Sequence, residues 1–454
     1  MANMSEPVAA ADPRLRADPL ADDTIAAILG PRIDGGPDMA AIALLNGQIA
    51  RWQANADLDG WRADGGVPGD IAAALEAYVA AARVLPAWAD PARIARAEQL
   101  FIGMSMTSCT LLFCASLPQC YVVPDLAAVL HVAGQLEQHT DYRVRSTAAM
   151  IFPVMMRGGL TAPAGGGVAQ ALKVRLIHAT IRHLILRGAP AQALAAGEPA
   201  IDALAPQGPS MQQALYAHGW DTARLGLPCN QEELAYTLLT FSYVFLDGLR
   251  RLGIGLAPAD EEAYLHAWNV LGHLIGIERG LMADTMAQAQ ALFEAIHARS
   301  RPSARRPDPR PALGRALVAA VRAYIPIGIL KPFPLLLTRY LVGARAAGDL
   351  GLEGRVGWAS RLAFALAMAA LRGIDRLGRL FHPGFSLSRL ATRILGYHLT
   401  VKLLMDQTRP LKLPDALLNQ VDSVVRAWHD DARAPGWMNA AERRLTGRAP
   451  TTTR

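Results

Sequence analysis

The sequence predicts an all-α protein: a multi-helix core with additional helices at its N- and C-terminal ends. Three observations predict this class. Apolar residues recur at three- and four-residue spacing over long stretches, and runs of β-branched residues are few. The periodic segments are interrupted where glycine and proline cluster. The clearest breaks are DGGVPGD (64–70), RGGLTAPAGGG (157–167), LAPQGPS (204–210) and GLAPAD (255–260).

These breaks and the composition divide the chain. Residues 1–20 read as a flexible N-terminus and 21–298 as the helical core. Residues 299–311 form a Pro/Arg-rich linker, 312–440 a C-terminal helical region and 441–454 a disordered tail. Within the C-terminal region, LPDALLNQVDSVVRAW (413–428) reads as an amphipathic helix with Pro414 in its first turn. Two earlier helix starts follow from local chemistry. In CNQEEL, Asn230 is placed as an N-cap with Glu233 three residues later, close to a capping box. In APADEEAYLHAW, acidic residues fall in the first turn, where they complement the helix dipole. Asn230, Glu232 and Glu233 are thereby accounted for without a catalytic role.

Composition limits the function. With 52% apolar and 19% charged residues among 454, the chain can bury a sizeable core. A net charge of +6 on that length is too dilute to imply nucleic-acid binding. The densest basic run, ARSRPSARRPDPRP (298–311), is proline-rich and reads as linker. Cys109, Cys114, Cys120 and Cys229 form no CxxC pair, so covalent haem attachment and a zinc ribbon are unsupported. Nothing suggests a disulfide framework, and a reducing compartment is the default. The N-terminus shows no basic start followed by an apolar stretch, so the expectation is a cytoplasmic protein.

Two segments raise the question of a membrane. Gln99 to Pro124 carries no charge, but its serines, threonines and Pro118 favour a buried core helix ending near that proline. YIPIGILKPFPLLLTRYLVG (324–343) has Lys331 at its centre and three prolines, and reads as a surface or membrane-skimming segment. It carries the expectation of peripheral membrane association.

The candidate ligands lie in KVRLIHATIRHLIL (173–186). On a helix, His178 and His183 stand about 140° apart, so they cannot clamp one metal ion as an i, i+4 pair does. Either would act alone. A single imidazole suits an axial haem position but not zinc, which needs three or four ligands. Periodicity alone leaves the two histidines equal, and a buried histidine with an ordinary hydrogen-bond partner stays open for both. The flanking Arg175 and Arg182 are of a type that suits haem propionates.

The wider pattern separates them. An Arg-x-x-x-Thr (Arg143, Thr147) precedes the glycine-rich break, and a Val-Arg-x-x-His (Val174 to His178) follows it. GLPCNQEELAYTLLTFSYVFLDGLRRLG (226–253) and EEAYLHAWNVLGHLIGI (261–277) come next. In this order the motifs resemble the MpaB-type oxygenases, which include latex-clearing rubber oxygenases and a fungal membrane-bound oxygenase of mycophenolic acid synthesis. The resemblance is best over residues 95–280. It implies a globin-like helical core with non-covalent haem b, His178 as the proximal iron ligand and His183 as an ordinary histidine. It also implies Arg143 and Thr147 beside the haem or its oxygen, and Arg175 as a propionate or structural partner.

Two departures accompany the resemblance. Rubber oxygenases carry a secretion signal, and the lysine that latex-clearing proteins hold between the arginine and threonine is Ser146 here. The family's catalytic glutamate has no clear counterpart, Glu137, Asp125 and Asp141 being the nearest carboxylates. The function implied is oxidation or C=C cleavage of a hydrophobic, isoprenoid-type substrate by dioxygen. A haem peroxidase using His266 or His273, and a non-catalytic haem carrier or helical interaction protein, are the alternatives.

Overall fold

The computed structural model describes residues 12–30, 36–134, 140–195, 200–205, 207–208, 210–300, 308–323, 331–382, 385–399 and 434–446. Helices account for nearly all the regular structure among them. The one sheet is a two-residue antiparallel pair, Ala200–Ile201 with Trp220–Asp221. The apolar side chains that the sequence pattern placed on helical faces join into one continuous core, from Ala21 to Leu352.

At the centre lies the helix Gly167–Leu186, which carries both histidines. Around it pack Pro19–Leu29, Thr140–Met155, Met211–Ala217 and Pro258–Leu274. Its N-terminus begins at Gly166, which has no side chain to cap it. Asn55 supplies the cap from a distance. Its Oδ1 accepts from the Val168 and Ala169 amides at 3.0 and 3.3 Å, and its Nδ2 donates to the carbonyls of Gly159 and Ala162, both at 2.9 Å. One side chain thus ties down the glycine-rich break and starts the helix. Glycine is required in that break for close approach, since a Cβ at Gly159 would fall on the carbonyl oxygens of Pro153 and Val154.

Several expectations shift here. Residues 12–20 are not loose. The Leu227 amide donates to the Arg14 carbonyl at 2.8 Å, the Gln231 amide to the Arg16 carbonyl at 3.0 Å, and the Gln231 side chain to the Ala17 carbonyl at 2.8 Å. Nothing local in sequence encodes those bonds. Residues 441–446 of the expected tail are ordered, because Gly436–Thr446 is helical and Glu442 forms a buried pair with Arg393 at 2.9 Å. Both ends of the expected linker are helical, at Arg299–Ser300 and at Arg310–Pro311. The segment 413–428 and most of the linker lie outside the described residues.

The uncharged stretch 99–124 is interrupted rather than one helix. Ser105–Leu111 runs into a π turn at Leu112–Ser116, then into Leu117–Cys120. No single described helix is long and apolar enough to cross a membrane; Pro91–Gly103 with Thr107–Cys120 passes by length and composition only as a pair bent by 87°. C-terminal helices cover this stretch. Leu387–Leu399 packs on Ser105–Leu111, where Thr107 and Thr392 hydroxyls meet at 2.9 Å and Thr110 donates to the Thr392 carbonyl at 2.9 Å. Phe333–Asp349 covers the π turn. In the described part of 324–343, Leu336, Leu337, Leu341 and Val342 are buried in that contact. Residues 331–343 thus turn part of their apolar surface to the protein core, with Lys331 exposed.

Candidate functional site

His178 is half-buried on the central helix. Its Nδ1 is enclosed without a hydrogen-bond partner among the described residues. Burial, followed by the nearby Arg182 cation, lowers its pKa to about 4. The ring is therefore neutral at neutral pH, with a lone pair free for a metal. This fits a lone axial ligand whose partner is not a protein group.

His183 shares part of that character. It is buried, its Nδ1 also lacks a partner among the described residues, and burial lowers it to about 4. Burial alone thus leaves the two histidines alike. What distinguishes His178 is the charged side chain beside it.

That neighbour, Arg182, has no exposed surface. Its Nη1 donates to the His178 carbonyl at 3.3 Å, and its Nε stands 3.4 Å from Asp22 Oδ1 without hydrogen-bond geometry. Asp22 is raised to about 6, burial outweighing the arginine. Close by, Glu233 is raised to about 8 by burial and by the charge of Asp125. Both of its carboxyl oxygens lack a hydrogen bond of normal geometry among the described residues. Cys229 sits in the left-handed region at φ 52°, and burial with the Glu233 charge pushes its thiol up to about 12. The thiol is therefore protonated and unreactive. Asp22, Arg182, Glu233 and Cys229 form a buried polar cluster beside the histidine, able to hold a proton at Glu233 near neutral pH.

Glu233 therefore differs from its sequence reading. Asn230 does cap the helix Gln231–Phe241, accepting from the Glu233 amide at 2.9 Å. The glutamate does not return the bond of a capping box; its carboxyl is turned into the buried cluster. A capping motif looks the same in sequence whether its third residue faces the cap or the core. The signal that could have pointed here is register: Asp18 and Asp22 are i, i+4, and Arg175 and Arg182 are i, i+7, so each pair lines one helical face.

Arg175 takes the structural part of its expected role. Its Nε and Nη2 grip Asp18 at 2.5 and 2.7 Å, and Nη1 reaches the Leu274 carbonyl at 3.4 Å. With that fork engaged by a carboxylate, the propionate role has no geometric support. Arg143 and Thr147 lie on Thr140–Met155, which packs against the central helix. Their i, i+4 spacing puts them on one face, with Thr147 half-buried. The side chains of Arg143, Asp141 and Ser146, and all of Glu137, lie outside the described residues. Asp125 is buried and 3.9 Å from Arg14, within the polar cluster.

One turn beyond Thr147 on the same face, Ile151 lines a small apolar cavity of about 20 Å³. Ser108, Cys109, Leu112, Phe245 and Trp268 also line it. The π turn therefore borders this space, as such turns often do at functional sites. The proposed acid–base histidines are engaged elsewhere. His266 Nε2 accepts from the Asp90 amide at 2.8 Å, and both His266 and His273 meet the edge of Trp88.

The scaffold defines an all-helical enzyme core around a neutral imidazole with an apolar cavity in the neighbouring helix layer. Residues 101–373 match the catalytic domain described as ER-bound oxygenase mpaB/B′ and rubber oxygenase, and the chain belongs to that oxygenase family. It is 24% identical to the rubber oxygenase of Streptomyces sp. (strain K30) over 353 residues, covering 75% of this chain and 72% of the relative. Its fold is similar to that of latex clearing protein in the closed state, with a TM-score of 0.59 at 21% identity over 92% of this chain and 91% of the other.

Proposed function

We propose that this protein is a haem b-dependent oxygenase that oxidises a hydrophobic, isoprenoid-type substrate with dioxygen, cleaving or oxygenating a C=C bond, with His178 as the proximal iron ligand. The observation that carries the oxygenase reading is the family match over residues 101–373; the enclosed Nδ1 of His178, with no hydrogen-bond partner among the described residues and with Arg182 beside it, supports this ring as the ligand. When bound there, the haem supplies activation of dioxygen.

The chain's own residues do the rest. Burial, with the Arg182 cation second, keeps the His178 ring neutral, and the Arg175–Asp18 clamp with the Asn55 cap fixes the helix that aims it. Arg143 and Thr147, one turn apart on the adjoining helix, would supply a cation and a hydroxyl to the haem or its oxygen. The cavity beside Ile151 and Phe245 is lined mainly by apolar side chains, the kind of surface an apolar substrate would require. The rubber oxygenase relative supports a polyisoprene-like substrate class.

The purified protein should show a Soret band, and His178→Ala should lose it or shift it markedly. Protein that stays colourless after haem reconstitution would refute the assignment. Oxygen uptake with isoprenoid alkenes, compared with peroxide-dependent turnover, then tests the oxygenase chemistry.

A further inference from the structure

The helix Trp358–Phe381 has one anchored side and one open side. On the anchored side, Asp375 accepts from the Ser386 hydroxyl at 3.0 Å and the Leu387 amide at 2.5 Å, and Phe364 packs against Phe333 and Tyr340. On the open side, large apolar residues stand in water: Trp358 is 78% exposed, Leu366 60%, Leu377 63%, Leu380 78% and Phe381 89%. Leu362 and Ile374 are exposed as well. At about 100° per residue, Trp358, Leu362, Leu366, Leu377, Leu380 and Phe381 fall within an arc of about 140°. Isolated exposed leucines are ordinary, but a continuous stripe of this kind marks an interaction surface.

The charges select the partner. The helix has four arginines and one acid, and that acid, Asp375, is buried. Exposed Arg361 and Arg376 lie along one edge of the apolar arc. Aromatic residues close both ends, over a helix about 36 Å long from its 24 residues. An antiparallel pairing with a second copy would set one arginine edge against the other. An anionic lipid surface complements both the stripe and the edge.

We propose that Trp358–Phe381 is an in-plane docking helix for an anionic phospholipid bilayer surface, its apolar arc entering the headgroup boundary and its arginine edge meeting lipid phosphates. Docking there would bring the enzyme to where an apolar substrate dissolves. The proposal stands independently of the haem assignment.

The test is flotation of the full-length protein with phosphatidylcholine vesicles, with and without phosphatidylglycerol. Wild-type protein should float with the anionic vesicles and less with the neutral ones. Leu366→Gln with Leu377→Gln should lower partitioning at least about tenfold, with unchanged circular dichroism. Leu362→Gln with Leu380→Gln probes the same face independently should the first pair fold poorly. Arg361→Gln with Arg376→Gln should remove the preference for anionic lipid. Wild-type protein that stays unbound, or a leucine pair that floats as well as wild type, overturns the proposal. So does a wild-type dimer that the leucine substitutions dissociate without any vesicle binding.

Discussion

Glu233→Gln gives the sharpest test of the buried cluster. The folded glutamate is raised from an ordinary 4.5 to about 8, chiefly by burial. Its folded pKa lies above its unfolded one, so the folded state binds the proton more tightly. That stability is fully present below about pH 4.5 and is lost as pH rises to about 8. Each pH unit within the window is worth about 1.4 kcal/mol. Between pH 6 and pH 8 the wild type should therefore lose about 2 kcal/mol that the variant, neutral throughout, does not lose. Other titrating groups are common to both proteins and cancel in the difference. Urea denaturation at pH 6, 7, 8 and 9 reads it directly: the gap between variant and wild type should widen in favour of the variant up to pH 8 and then level off. Parallel curves would show that Glu233 is ionised and partnered in the folded protein, and the account of the buried cluster would be wrong.

Two further substitutions test how the histidine helix is held. Asp18→Asn leaves the buried Arg175 cation without its counter-charge and should cost about 3–5 kcal/mol in urea denaturation. Asp18→Leu combined with Arg175→Met should recover most of that loss, whereas a double variant as unstable as the single one would mean that the pair does more than neutralise itself. Gly159→Ala forces a Cβ onto the Pro153 and Val154 carbonyls, with an expected loss of about 1–3 kcal/mol or more. If the break positions His178, cofactor retention should fall with it; a stable variant with unchanged haem content would show that the loop is a passive connection.

Much of the candidate site was legible because its signals are local. The three- and four-residue spacing marks helices wherever apolar faces must be buried, and the Asn230 cap and the glycine-rich break act over a few residues. The order of Arg143, Thr147 and His178 along the chain carried the family, since ligand and helix are specified by neighbouring positions. The Asp18–Arg175 clamp could be suspected only from register, because its partners are 157 positions apart.

What the sequence determined by itself is the helical class, the lone histidine as ligand candidate and the oxygenase family. Tertiary structure alone decided which polar residues lost their water. Arg182 beside His178 and Glu233 inside its own helix cap both look like ordinary surface or capping residues until helices from distant parts of the chain close over them. The same holds in reverse for Trp358–Phe381, whose apolar stripe faces solvent in the fold. Periodicity states that a face is apolar; only the packing of the other helices states whether that face is covered.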